Sequence, residues 1–342
     1  MTTIFSSTDH QADSRVNLSV EPALITDEEP PPNGLIFQVS PHLAKLAKNS
    51  PAIRRQFYPS DDELQISDET YEDPLLEDSH VVTKGLVHKY PSRVLVTLTM
   101  TCAAYCRFCT RRRIVSDMEK GKLTSADVDN MVKYLTAHPE INEVIFSGGD
   151  PVTAHNLLIE AIDKIRALPQ IKVIRVHTRT PVSQPSLITP KLLKTFKQIE
   201  QPLYVSVHFE HPDEMSPETL TVIKKIQKTG AILLSQSVFL KGVNDSVEVL
   251  EELFNRLIQI GVRPYYIFRC DPTKGVEHFI VPLEKEIAIM TELRKRLSGL
   301  AWPTYVIDTP NGSGKIPVPL DFWKFDKSGH TDFLNKWHEV WE

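Results

Sequence analysis

From Arg93 onward, short β-branched apolar runs alternate with longer amphipathic stretches. RVLVTLTM, NEVIFSGGD, IKVIRVHT, LYVSVHF, AILLSQSVF and RPYYIFRC read as strands. TSADVDNMVKYLTAHP, HNLLIEAIDKIRALP, TPKLLKTFKQIE, SPETLTVIKKIQKTG and DSVEVLEELFNRLIQIG separate them at helical spacing, and VPLEKEIAIMTELRKRLSG follows the last. The helices open on Ser, Thr, Asp or Pro, and Gly230, Gly261 and Gly299 stand where helices should stop. Strand starts fall near 93, 142, 171, 202, 231 and 263, and after the first step the interval is close to the ~30 residues of one βα unit. Right-handed crossovers place six such strands in a parallel sheet, and near-continuous apolar strands imply that both faces are covered. The expected fold class is α/β, a partial (β/α)6 barrel over residues 93–300. An open doubly wound sheet shares this pattern and stands as the alternative.

The flanks read differently. Residues 1–35 carry DHQADSR and DEEPPPN, with too few apolar groups to offset the entropy of ordering them, and are expected to be a disordered extension. Residues 36–92 hold one amphipathic stretch, PHLAKLAKNSPAIRRQF, then the acidic, turn-rich SDDELQISDETYEDPLLEDSH. This helical and irregular segment should pack on something larger. Residues 301–342 form a C-terminal segment. A net charge of -5, from 39 Lys+Arg against 44 Asp+Glu, argues against a dedicated nucleic-acid binder. No apolar run approaches the ~20 residues of a membrane span, and MTTIFSSTDHQADSR lacks the pattern of a secretory signal, so a cytoplasmic location is expected.

The chain has four cysteines, three of them within TMTCAAYCRFCTRRR. Cys102, Cys106 and Cys109 form a C-x3-C-x2-C spacing directly after the first strand of the βα series. Three thiolates on one short loop can hold three corners of a [4Fe–4S] cubane and leave the fourth iron open. A zinc ion would need a fourth ligand, for which only the distant Cys270 offers itself; a buried free cysteine at a strand end is the plainer reading of Cys270. Downstream, IDTPNGSGKIPVP carries Lys315 on a turn. It is no phosphate loop, since the G-x4-G-K-[ST] spacing is missing and Pro317 and Pro319 forbid a following helix. Lys315 is then either a solvated loop lysine or an amine placed to meet a cofactor aldehyde.

The cysteine spacing, with Phe108 before the last cysteine and a βα barrel behind it, resembles the radical S-adenosylmethionine (SAM) superfamily. FSGGDP, residues 146–151, resembles its glycine-rich segment, which would set Ser147, Gly148, Gly149 and Asp150 beside the methionine moiety of SAM. From about residue 50 to about residue 322 the chain resembles the lysine 2,3-aminomutase family. The resemblance runs through GLVHKYPSRV, CxxxCxxCTRRR, SGGDP, RTPV, VHFEHPDE, QSVFLKGVND, PYYIFRCD, GVEHF and the D-x-P-x4-K turn.

That resemblance implies pyridoxal 5′-phosphate (PLP) as a further cofactor, with Lys315 as its lysine and Arg93, Tyr90 and Gln236 around its phosphate and ring. It implies Arg111 against the substrate carboxylate, and Asp271 and Asp308 on the substrate's distal ammonium. The implied reaction is an isomerisation, L-lysine to β-lysine by 1,2-amino migration. A flavodoxin or ferredoxin would be the electron donor, with a homo-oligomer as a possible assembly. The same chemistry on arginine or glutamate is the nearest rival; a non-catalytic iron–sulfur protein using TRRR on nucleic acid or a redox partner is the rival from another class. Two departures matter. Ser246 and a cysteine-free tail stand where longer family members carry a structural zinc site, so that zinc is not expected. Phe268 replaces a usual tyrosine near PLP.

Overall fold

A computed structural model describes residues 35–115, 121–309, 314–320, 324–326, 328–332 and 336–339. The expected extension, apart from Leu35, and most of the turn before Lys315 lie outside the described residues.

Two seven-residue helices open the described chain, α1 (Pro41–Ala47) and α2 (Pro51–Phe57). Each starts with proline in the first turn, and each is capped by a serine side chain. Ser40 accepts from the Leu43 N–H, and Ser50 accepts from the Ile53 N–H. Helices this short do not persist alone. They are held by burial of Leu43, Ala47, Ile53 and Phe57 against Phe37, Val39 and Ala104, the last from the cysteine loop. The N-terminal segment therefore packs directly on the loop that carries the cysteines.

Ten strands then form one sheet in strict chain order. Strands β1 (Val81–Thr83) and β2 (Leu86–Tyr90) lead antiparallel into β3 (Arg93–Thr99), with Tyr90 opposite Arg93. Seven parallel strands follow from there: β3, β4 (Glu143–Gly148), β5 (Val173–Thr178), β6 (Leu203–His208), β7 (Ile232–Val238), β8 (Arg263–Phe268) and β9 (Thr304–Asp308). Strand β10 (Lys315–Pro317) returns antiparallel along β9 and sets Lys315 opposite Asp308. The crossovers carry α3 (Ser125–Ala137), α4 (His155–Arg166), the single turn α5 (Thr180–Ser183), α6 (Pro190–Lys197), α7 (Pro217–Gln227), α8 (Val247–Gln259) and α9 (Leu283–Arg296). A doubly wound sheet reverses strand order at a switch point. No reversal occurs here, so successive right-handed crossovers put their helices on one face and the sheet curls as a partial barrel. That removes the doubly wound alternative.

Two features differ from the sequence reading. The parallel series has seven strands instead of six: TYVID, after α9, adds a seventh that the sequence reading passed over because it is short and lies between Pro303 and Pro310. The inner face is also not covered by helices. Along β5, Ile174 and Val176 join the core under the helices while Arg175 and His177 on the other face stay half-buried. The same alternation sets Arg93, Thr97, Ser147, Ser206, His208, Gln236, Tyr266, Phe268 and Asp308 on the inner face, whose outward neighbours Val96, Phe146, Val205, Val207 and Ile267 are core. Closed barrels fill this space with branched apolar side chains. Here polar and aromatic residues share that lining with Leu95 and Leu234, and several of them stay half-buried, so the interior is not filled as in a closed barrel.

Candidate active site

Cys102, Cys106 and Cys109 are all free thiols, half-buried on the loop that leaves the carboxyl end of β3. Two neighbouring segments fix that loop. Gly149 and Asp150 donate their N–H groups to the Thr99 and Thr101 carbonyls at 2.6 and 2.9 Å. A Cβ on Gly148, which has φ +118°, would lie 2.4 Å from the Thr99 oxygen, and one on Gly149 2.6 Å from that of Thr101. Only glycine permits this approach of β4 to the loop. Asp150 accepts from Thr178 Oγ1, from the backbone N–H groups of Arg179 and Thr180, and from that of Val152. The Ser-Gly-Gly-Asp segment thus braces the cysteine loop, and Ser147 lies beside it on the inner face, paired in register with Thr97.

From the other side, the Arg107 N–H donates to the Gln56 carbonyl of α2 at 2.8 Å. The Arg107 guanidinium, with no solvent exposure, forks onto Glu63 at 2.8 and 2.5 Å and reaches the carbonyls of Leu35 and Ile36. Burial pushes the Cys102 thiol well above its ordinary value and the Cys109 thiol up to about 11; it also raises Cys106, against the opposing Arg179 charge. Thiolates in such a place need a cation. Among the described residues no three acidic, cysteine or histidine side chains converge on one point as ligands of a single ion would. The three thiols lie near enough to feel one another's charge, and three thiolates on one loop suit in number and type an iron–sulfur cube with one iron left open. Cys270 is buried with Phe108, Leu240, Val243, Val276 and Phe279, the setting of an inert core cysteine.

The basic run that ends the loop is internally neutralised. Arg111 forks onto Glu77 at 2.7 and 2.6 Å and donates to the Gly148 carbonyl at 3.1 Å. Arg112 pairs with Glu63, and Arg113 with Asp73 and Asp78. The acidic segment before β1 and the TRRR run, unrelated in sequence, are partners in space. Arg111 therefore faces the cavity mouth with one edge already held by a carboxylate.

At the far edge of the sheet, the Lys315 ammonium pairs with Asp308 Oδ2. Asp308 is 5% exposed, and its Oδ1 is buried without a partner among the described residues. Asp271 lies close enough to matter electrostatically: burial, then the Asp308 charge, push its carboxyl up to about 7, against the pull of Lys315. Two carboxylates and one alkyl ammonium thus already share this corner. The Phe268 ring lies 5.5 Å from Lys315 Nζ. Gly314, at φ +101°, rests against Tyr90 Oη, and the Arg93 guanidinium stacks 3.8 Å from the Tyr90 ring centre.

Between these ends the inner face carries Arg93 and Arg175, the latter paired with Glu143 at 2.9 Å. Arg175 donates to His177 Nε2 at 3.0 Å, and Gln236 hydrogen-bonds His208. Burial, then the Arg175 charge, hold His177 well below its ordinary value; burial, then Arg179, bring His208 down to about 4. Neutral imidazoles beside fixed guanidiniums make a lining that favours an anionic, aromatic ligand. Strand register places Arg93, Ser147, Gln236 and Asp308 on the inner face, with Tyr90 beside Arg93 and Lys315 opposite Asp308, whereas the cysteines and Arg111 lie on the loop after β3 and Cys270 lies in a separate apolar cluster. Sequence reading gave no role to Arg179, Glu77, His177 or His208. Arg179 and His208 sit inside the RTPV and VHFEHPDE motifs, where a signal was present; Glu77 is one acid among many and gave none.

The chain is similar to known proteins over most of its length. The Radical SAM superfamily model matches residues 96–254. The chain is 40% identical over 289 residues to an L-lysine 2,3-aminomutase of Fusobacterium nucleatum subsp. nucleatum, covering 84% of this chain and 67% of that protein. It is 39% identical over 280 residues to the L-lysine 2,3-aminomutase of Clostridium subterminale, covering 81% and 67%. With that of Bacillus subtilis the identity is 38% over 271 residues, covering 79% and 57%. Among solved structures it is similar to a radical SAM methyltransferase from Sphaerobacter thermophilus, with a TM-score of 0.47, 20% identity, and 65% and 68% coverage.

Proposed function

Because the chain belongs to the lysine 2,3-aminomutase family of the radical SAM superfamily, a family of isomerases that use a [4Fe–4S] cluster and SAM, we propose that it converts L-lysine to β-lysine with PLP as a further cofactor. The observation that carries the substrate is the Asp308–Asp271 corner. Asp308 already takes an alkyl ammonium, that of Lys315, on one oxygen, and among the described residues its other oxygen is buried without a partner. A lysine side chain ends in the same chemical group. Leaving such a buried acceptor unmatched costs about 1–3 kcal/mol, which favours ligands with a distal cation. Glutamate would set a third carboxylate against this pair.

When bound, the cluster with SAM supplies a carbon radical able to abstract hydrogen, and PLP supplies an aldehyde to take up an amino group. The protein's own residues hold and orient. Cys102, Cys106 and Cys109 are assigned to three irons, with Ser147, Gly148, Gly149 and Asp150 at the methionine end of SAM, the last three acting through the loop they brace. Arg93, Tyr90 and Gln236 are assigned to PLP on the inner face, and Lys315 to its aldehyde. Arg111 presents its remaining N–H groups to the substrate carboxylate while Glu77 fixes its plane. Asp271 and Asp308 fix the other end, so the distance between the two charged ends selects chain length and holds C2 and C3 in place. The TRRR run, paired with Glu77, Glu63, Asp73 and Asp78, is not a free basic patch, which weighs against a nucleic-acid role.

The test is anaerobic reconstitution of the full chain with iron, sulfide, PLP and SAM, followed by product analysis on lysine, arginine, glutamate and alanine. Turnover of lysine to β-lysine well above the others is expected. Preference for glutamate would sink the lysine reading and leave the aminomutase scaffold.

A further inference from the structure

We propose that Arg179 is a positioning residue that sets the reduction potential of the iron–sulfur centre by placing a hydrogen bond and a fixed positive charge on Cys106. Its Nη1 lies 2.8 Å from Cys106 Sγ. Among the described residues no other side chain donates to a sulfur of the three; Cys109 is met by the Arg111 backbone N–H. The contact is built from several directions. Nη2 donates to Glu214 Oε1 at 3.0 Å and to Gln56 Oε1, and Gln56 Nε2 donates to the same Glu214 oxygen at 2.9 Å. The rings of Phe57 and Phe108 lie 4.5 and 5.3 Å from the guanidinium carbon. The Arg179 backbone N–H is held by Asp150 at 2.8 Å. Helix α2, the turn after β6 and the cysteine loop therefore hold the side chain, while the turn after β4 holds its backbone, and together they aim it at one sulfur.

The physical consequence has a sign. When the centre takes one electron from its external donor, it gains one unit of negative charge and no bond forms or breaks. A nearby guanidinium and a hydrogen bond to a ligand sulfur stabilise that added charge and raise the potential. Glu214, fully buried and hydrogen-bonded to the same guanidinium, opposes it. The potential then reflects a balance between Arg179 and the acid behind it. This inference rests on the three cysteines holding the cluster and not on the identity of the amino-acid substrate.

The test is an EPR-monitored redox titration of the full chain, reconstituted with iron and sulfide, without amino acid. Arg179→Met should retain iron and lower the reduced-to-oxidised ratio about tenfold at a fixed solution potential, which for one electron is ~59 mV. Arg179→Lys, which keeps charge but not the fork, should fall between. Glu214→Gln should move the midpoint the other way. Arg179→Met with full iron and the wild-type midpoint overturns the proposal. If that variant takes up no iron, an unmoved midpoint in Glu214→Gln overturns it instead. Wild-type protein that binds no cluster would remove the cysteine assignment itself, a different failure from an unexpected substrate.

Discussion

Asp271 shows how one residue can carry a pH dependence for both fold and binding. Its carboxyl is raised from the ordinary carboxylate range to about 7 by burial and by Asp308. A raised acid takes up a proton on folding between those two values, so its contribution is favourable at low pH and is lost as pH climbs through about 7. Asp271→Asn should therefore melt higher than wild type at pH 8, with the difference closing towards pH 4 in thermal scans. Substrate binding should run the opposite way, because only the charged carboxylate attracts an ammonium. The apparent KM for lysine should fall from pH 6 to pH 8 in wild type, and that slope should flatten in Asp271→Asn; equal slopes would show that Asp271 does not meet the substrate. The cysteines separate in the same manner. Cys102→Ala, Cys106→Ala and Cys109→Ala should each lose the cluster's iron, while Cys270→Ala, cut from an apolar cluster, should keep it and lose only packing energy. Iron loss confined to the Cys270 variant would reverse the ligand assignment.

At the scale of elements, the cysteine loop is stable only through what surrounds it. Arg107, between two of the cysteines, is fully buried on Glu63 of a short 3-10 turn, and α2 supplies the carbonyl for its N–H. Removing one partner of a buried ion pair typically costs about 3–5 kcal/mol, because the other charge is stranded. Glu63→Gln should lower the melting temperature and, since the turn and loop move together, reduce iron uptake on reconstitution. A variant with wild-type melting and full iron would show that the loop is self-supporting. Much of this scale was legible in the sequence. The six strands beginning near Arg93, Glu143, Val173, Leu203, Ile232 and Arg263 announce themselves by β-branched runs, at a near-constant interval after the longer first step. The hairpin through LVHKY and the strand TYVID did not, because each is short and earns its place only by pairing with the edge of a sheet already formed. Glu63 and Glu77 could not be singled out among neighbouring acids; what distinguishes them is a guanidinium more than thirty residues away in sequence. Cys102, Cys106, Cys109 and Lys315 stood out because spacing and turn chemistry are local.

For the whole molecule, the decisive property is that the sheet curls without filling itself. Its outer face carries one continuous core beneath the helices, whereas the inner face presents Arg93, Arg175, His177, His208, Gln236 and Tyr266 to a cavity. Arg175 has Glu143 as a counter-charge at 2.9 Å; among the described residues Arg93 has no carboxylate partner and only stacks on Tyr90. Burial, and after it the Arg175 charge, holds the neighbouring His177 low and so neutral. An anionic ligand that binds such a lining stabilises the folded state by mass action. A ligand at a hundred times its Kd adds about 2.7 kcal/mol. PLP should therefore raise the melting temperature of the cluster-free chain. Pyridoxal, which lacks the phosphate, should raise it much less, and inorganic phosphate should act only at far higher concentration. Arg93→Met should abolish most of the gain from PLP while melting close to wild type without it, because the residue contributes charge to the cavity and little to the core. Lys315→Ala should keep a phosphate-dependent part of the gain and lose the rest, separating the ring's anchor from its aldehyde. Equal stabilisation by pyridoxal and by PLP, or an Arg93→Met variant that responds like wild type, would mean that this lining serves some other anion.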